Sequence, residues 1–306
     1  MTLAHPSSRL PSKLPSQSTS RSGTVAAALQ SLLCLLCLAA APIGAAAQAA
    51  EPRQPGSAIE PLWELGLGVG GLRLPHYRGS DQSHNLLLPV PYGIYRGKIF
   101  RATREGARAV LVESDRVDVD LSVAASAPTS SSDNRARSGM PDLAATVAFG
   151  PNLNLTLARG PTWKFELRVP VLAVYTLQRQ AQMIGWTASP VLNLDLRWQG
   201  WDVGVQAGPM WASREYNAHF YDVAPAYATA TRAAYRASAG NAGWRWTAGA
   251  SRRYGQLWLG GFVRGDSVAG AAFEPSPLVK QRSALSFGLA MSWIFAVSDV
   301  RVAIDD

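Results

Sequence analysis

From Leu62 onward the chain alternates apolar and polar residues with a period of two, the pattern of β-strands with one greasy face. The clearest run is the last. In 284–295 Leu285, Phe287, Leu289, Met291, Trp293 and Phe295 share one face, while Ala284, Ser286, Gly288, Ala290 and Ser292 share the other. Elsewhere the second face carries charge. Trp163, Phe165, Leu167 and Val169 alternate with Lys164, Glu166 and Arg168; Leu192, Leu194, Leu196 and Trp198 alternate with Asn193, Asp195 and Arg197; Val117, Val119, Leu121 and Val123 alternate with Asp118, Asp120 and Ser122. The pattern predicts strands near 62–72, 85–96, 97–103, 107–112, 116–127, 142–157, 162–176, 185–198, 201–213, 240–251, 256–267 and 283–296.

A soluble β-sandwich also alternates, so three further features decide between the two classes. Aromatic residues fall near predicted strand ends: Trp163, Tyr175, Trp186, Trp198, Trp201, Trp211, Trp244, Trp258, Trp293 and Phe295. An interfacial girdle requires that placement. Many of the segments are long, which suits tilted membrane strands. Connections also alternate in length: tight at 96–97, 113–115, 159–161, 199–200 and 252–255, longer at 128–141, 214–239 and 268–282. Outer-membrane barrels sort their loops in this way and sandwiches do not. The expected fold is an all-β, antiparallel transmembrane barrel of about twelve strands, or ten if the two short ones near 97–112 do not form.

Composition agrees. Of 306 residues, 47% are hydrophobic and 16% charged, too apolar for a disordered chain. The N-terminus carries Arg9, Lys13 and Arg21 with no acidic residue before Glu51, then an apolar run 25–41 and the small residues Ala45, Ala46, Ala47 and Ala49. That is the layout of a secretory signal peptide, expected over 1–47, followed by a flexible periplasmic leader 48–61, the barrel 62–296 and a tail 297–306. Both cysteines, Cys34 and Cys37, lie in the signal. The exported chain then has no disulfide, thiolate metal site or cysteine nucleophile. Its net charge falls from +8 to +5 once the three basic residues leave.

Candidate chemistry is sparse. The run Gly66-Leu67-Gly68-Val69-Gly70-Gly71 matches a dinucleotide fingerprint, but it continues into Leu72-Arg73-Leu74-Pro75, which cannot open a helix. It reads instead as a strand with glycines on a crowded face. His76, His84 and His219 all fall in predicted loops, with no spacing that forces convergence with Asp81 or Asp222 on a metal. No G-x-S-x-G elbow is present and no histidine lies on a predicted strand, which argues against a barrel hydrolase. Basic residues are not clustered with aromatics as a nucleic-acid site needs. The outer-loop pair Arg135 and Arg137 suits anionic lipopolysaccharide. The inward charges Asp118, Asp120, Lys164, Glu166, Arg168, Asp195, Arg197, Asp202 and Arg245 mix signs, and are either a polar channel lining or a lumen closed by cross-strand ion pairs.

Several segments resemble the MipA/OmpV family of outer-membrane proteins: Pro75-His76-Tyr77-Arg78-Gly79-Ser80-Asp81, Leu88-Pro89-Val90-Pro91-Tyr92, and above all Asp133-Asn134-Arg135-Ala136-Arg137-Ser138-Gly139-Met140-Pro141-Asp142. Gly150-Pro151-Asn152-Leu153, the loop from His219 to Tyr235, and Arg264-Gly265-Asp266-Ser267 support it. The resemblance implies an outer-membrane barrel with no cofactor and no enzymatic activity. For some members it implies a scaffold joining a lytic transglycosylase to a penicillin-binding protein; for others, adhesion or permeability. The loop 130–142 would lie outside the cell while murein enzymes lie in the periplasm. Either that loop folds inward, with Asp133, Arg135, Arg137 and Asp142 forming an ion-paired constriction, or partners meet the tight turns, the leader and the tail.

Overall fold

The computed structural model describes residues 58–97, 100–103 and 106–304, all within one unit of the chain. The expected signal peptide and most of the expected leader lie outside the described residues. Alternation becomes strand throughout: β1 (Ala58–Pro61), β2 (Trp63–Pro75), β3 (Ser83–Arg96), β4 (Phe100–Thr103), β5 (Gly106–Glu113), β6 (Val117–Ser126), β7 (Thr146–Gly160), β8 (Trp163–Thr176), β9 (Met183–Ala188), β10 (Val191–Trp198), β11 (Trp201–Ala212), β12 (Gly240–Tyr254), β13 (Leu257–Ser267), β14 (Ser283–Val297) and β15 (Arg301–Ile304). A single helix longer than one turn, α1 (Arg214–Tyr221), interrupts the described series.

Each wall strand is antiparallel to its neighbours, and β14 pairs with β2 from Phe287↔Arg73 to Val297↔Glu64, which closes the sheet. β9 and β10 occupy one wall position in succession, because both pair with β8 and with β11. The thirteen strands of the sheet therefore make twelve wall positions. The strand expected over 185–198 breaks at Pro190, which has no amide to donate. Gly208 accommodates the break: a Cβ there would stand 2.1 Å from the Pro190 carbonyl oxygen.

Closure turns the usual burial rule inside out. Leu289 is 72% exposed and Leu285, Phe295 and Phe287 are also open on the outer face, while Ser286, Ser292, Asn193 and Asp195 are buried on the inner one. A sheet solvated by hydrocarbon on its outer face has this distribution. Outward tryptophans mark two levels, Trp186, Trp211, Trp244 and Trp246 toward one end, and Trp163, Trp198 and Trp293 toward the other. Trp258 departs from the expected girdle. It points inward, 6% exposed, and meets Tyr92 at 6.0 Å between ring centroids in a small interior cluster with Ile94 and Ile294.

The connections sort by end as expected. Those at 114–116, 161–162, 199–200 and 255–256 are tight and share an end with β1 and β15; those at 76–82, 127–145, 177–182, 213–239 and 268–282 share the other. The last residues of the expected leader are not loose. β1 pairs with β15 from Ala58↔Ile304 to Pro61↔Arg301, which continues the β2–β14 ladder as a two-stranded ribbon beyond the wall. The Gly66–Gly71 run lies wholly in β2, where a Cβ on Gly68 would stand 2.0 Å from the Met291 carbonyl oxygen. Those glycines let two strands close the barrel, not a loop cradle a phosphate.

Candidate functional site

The nine charges expected in the lumen lie on the faces opposite the lipid-exposed residues, but they do not converge on one point. Glu166, Arg168 and Asp195 are each at most 5% exposed. Arg168 Nη2 stands 2.6 Å from Glu166 Oε2 and 2.7 Å from Asp195 Oδ2, and Lys164 also pairs with Glu166. Asn193 donates to Asp195 at 2.8 Å. Buried ions need this density of partners, because desolvation costs more than a single contact returns. A second group joins Asp120 to Asn154 at 2.8 Å and to Ser122 at 2.9 Å, with Asn152 linked to Asn154. Asp118 sits lower, accepting from the Ser114 amide at the β5–β6 turn. Arg197 pairs with Asp202 at 3.3 Å beside the 199–200 turn. Arg245 meets Asp266 at 2.9 Å near the outer end.

Among the described residues, the lumen holds further charges that sequence reasoning missed. Glu64, 1% exposed, accepts from Arg96 at 3.0 Å and from Arg253 at 2.5 Å, although β2 and β12 are separated in the wall by β13 and β14. Asp266 gathers Arg245, Arg264 and, from a loop, Arg78. Strand parity would have found Arg264 and Asp266, which alternate with Val263 and Gly265; the glycine weakens the apolar face and hides the pattern.

The molecule's apolar core is in its outer loops. Tyr77, Leu143, Tyr221, Val223, Val268, Phe273 and Leu278 are all at most 5% exposed and belong to one cluster. Tyr221 stacks on Phe273 at 3.7 Å, and Tyr77 donates to the Leu278 carbonyl at 2.8 Å. Burial pushes the Tyr77 hydroxyl up to about 12 and raises Tyr221 further, so both remain protonated donors. α1 forms where a loop was expected, because Ser213 caps it by accepting from the Tyr216 amide at 3.3 Å.

Three arginines tie these loops through backbone carbonyls. Arg78 donates to Ala242 at 2.6 Å, Arg137 to Phe220 at 3.0 Å and Pro141 at 3.1 Å, and Arg232 to Ala136 at 2.9 Å and Ser138 at 3.0 Å. Carbonyls whose chain has left regular structure otherwise lack partners. Burial holds Arg137 below its ordinary value, so the charge is retained at a cost.

The expected ion-paired constriction is corrected. Among the described residues Asp133, Arg135, Arg137 and Asp142 make no ion pair with one another. Arg135 reaches Asp81 at 3.2 Å on the surface, and Asp142 accepts from the Ser131 amide at 2.6 Å. Asp133 is exposed. The loop's conformation explains the residue types better than charge pairing does. Gly139 adopts φ +79, which side-chained residues rarely tolerate, and Met140 packs against the apolar cluster just before Pro141, whose carbonyl receives both Arg137 and Ser131. Among the described residues the histidines do not converge with carboxylates into a metal-binding group. His76 and His84 stack at 5.2 Å, and His219 packs edge-on against Phe220. Among the described residues no three His, Cys, Asp or Glu are grouped to hold a metal.

No curated relative matches the sequence. Among solved structures, a bacterial polysaccharide outer membrane secretin aligns with TM-score 0.39 and 9% identity, covering 76% of this chain and 99% of that one. An outer membrane channel from Pseudomonas putida F1 aligns with TM-score 0.33 and 12% identity, covering 79% and 100%. The outer membrane protein OprD from Pseudomonas aeruginosa aligns with TM-score 0.25 and 6% identity, covering 83% and 97%. The family described as MltA-interacting protein MipA matches residues 67–295, nearly the whole closed sheet and every outer loop. This outer-membrane β-barrel protein belongs to the MltA-interacting protein MipA family.

Proposed function

We propose that the barrel is a non-enzymatic scaffold of the cell envelope, closed along its axis, whose periplasmic end holds a murein-hydrolysing lytic transglycosylase and a murein-synthesising penicillin-binding protein. The observation that carries the reading is the state of the lumen charges. Glu166, Arg168 and Asp195 are buried and, with Lys164, carry no net charge, whereas a conducting pore keeps its charges wet. The apolar lid of the outer loops supports the same reading from above. The family description names an interaction with MltA, and among the described residues the surface offered to the periplasm includes four tight turns and the β1–β15 ribbon. On this reading residues 1–47 are removed on export, and exposed Arg135 meets lipopolysaccharide outside.

The test is planar-bilayer conductance of refolded protein with heat-modifiable mobility, paired with retention of periplasmic murein enzymes on the immobilised barrel. A silent barrel that retains a transglycosylase is expected. Steady, salt-proportional steps with no enzyme retained would replace the scaffold by a permeability protein.

A further inference from the structure

The barrel wall is not equally tall all round. β3 has fourteen residues, but its neighbour β4 has four and β5 has eight. Among the described residues β3 and β4 pair at Tyr95↔Ala102 and Arg96↔Arg101, at the periplasmic end. From Ser83 to Pro91, among the described residues, β3 has ladder partners on its β2 side alone, over about 30 Å of strand. On the far side of the short hairpin, the β5–β6 pairing among the described residues ends at Arg108↔Ser122.

The sequence of β3 fits an edge. The Arg96 amide donates to the Leu62 carbonyl, toward β2, and the β2–β3 register runs without a bulge, so amides of odd-numbered residues point toward β4. Pro89 and Pro91 occupy two of those odd positions. Proline has no amide hydrogen, so two donors that would face hydrocarbon without a partner are missing from the chain.

The inner face of β3 also differs from the rest of the lumen. Leu86, Leu88 and Val90 point inward and stay partly exposed, where β10 and β12 place the fully buried Asn193, Asp195 and Thr247. Leu72 and Leu74 of β2 adjoin them, at Leu72↔Leu86 and Leu74↔His84. At the outer end of the same strand pair Arg73, opposite Asn85, is exposed on the lipid side, where a cation meets anionic headgroups.

We propose that the wall between β3 and β6 opens laterally into the outer leaflet and that an acyl chain of an outer-leaflet lipid lies in it against Leu86, Leu88 and Val90, its anionic headgroup near Arg73. This opening is independent of the scaffold reading, since a barrel closed along its axis can be open at its side.

The test places a bimane label on a Cys34→Ser, Cys37→Ser background at Leu88→Cys, with Leu289→Cys as the outward reference and Thr247→Cys as the inward one. Heat-modifiable mobility qualifies each variant, and Val90→Cys repeats the measurement at a second inward position. Each is reconstituted in phosphatidylcholine vesicles whose acyl chains carry bromine, a contact quencher. Quenching at Leu88 is expected to reach at least about half that at Leu289, with little at Thr247. Quenching at Leu88 and Val90 no greater than at Thr247 would overturn the opening, whether the edge is closed by the hairpin or covered by a second copy.

Discussion

Arg78 Nε lies 2.8 Å from Asp266 Oδ1, which joins the first outer loop to the inner wall of β13 across 188 residues of sequence. The same guanidinium donates to the Ala242 carbonyl, so one side chain holds the lid to two strands. Arg78→Ala removes those contacts while Asp266 keeps Arg245 and Arg264. The cost should fall on the lid, at about 3 kcal/mol for lost hydrogen bonds to a buried carboxylate and carbonyls. Trypsin should then cut the outer loops of the variant while its barrel still migrates as a folded, heat-modifiable band. Loops as resistant as those of the parent would show that the apolar cluster alone closes the lid.

The lid should also loosen in acid. His219 is held below the ordinary histidine value by burial first and by the charge of Arg137 second, and its Nε2 is buried without a partner. His76 is lowered too, by burial, against opposing pulls from Asp133 and Asp81. A histidine with a depressed folded value binds its proton more readily when the lid is open. Stability from these groups is therefore full above the ordinary value of about 6.5 and falls as pH drops below it. Protection factors of the loop amides, with the slower intrinsic exchange in acid divided out, should fall between pH 7.5 and about pH 5.5, and His219→Asn should blunt the change. Barrel-ladder amides serve as the internal control. Equal changes in both regions would remove the lid histidines as the cause.

In the lumen, Arg168 stands between two buried carboxylates, Glu166 and Asp195. Arg168→Met leaves both acids with Lys164 as the basic neighbour of Glu166, and should destabilise the barrel by about 3–5 kcal/mol. Adding Glu166→Gln and Asp195→Asn to it should recover more than half the loss, because the uncompensated charge goes with them. Urea unfolding in vesicles reads both. A triple variant no more stable than the single one would mean that shape, and not charge, sets the cost.

The strands were legible because lipid outside and a crowded lumen inside impose a strict period of two, and the loop sorting followed from antiparallel closure. The lid was not. Its core is built from Tyr77, Val223, Phe273 and Leu278, which lie far apart in sequence and in no periodic segment. Asp133, Arg135, Arg137 and Asp142 invited pairing because of their charges, yet Arg137 serves carbonyls whose position only the folded loops define. β3 was recognised as a strand while its polarity was not. Its apolar residues Leu86, Leu88, Val90, Tyr92 and Ile94 face the lumen and its prolines face out, the reverse of β14.

That reversal can be checked against the ordinary wall. Leu289 sits near the middle of β14, outward and 72% exposed, whereas Leu285 lies closer to the outer end. An arginine at the bilayer midplane of a barrel costs about 2–4 kcal/mol and at the interface about 0–1. Leu289→Arg should therefore lower folding stability in vesicles by about 3 kcal/mol, and Leu285→Arg by less than about 1. Leu87, at 78% exposed and level with Gly71 of β2, shares the outer face but lies on the open edge. Leu87→Arg should cost about as much as Leu289→Arg, because an acyl chain lying in the opening keeps the edge as dry as the ordinary wall. A cost at Leu87 clearly below that at Leu289 would put water, and not an acyl chain, in the opening.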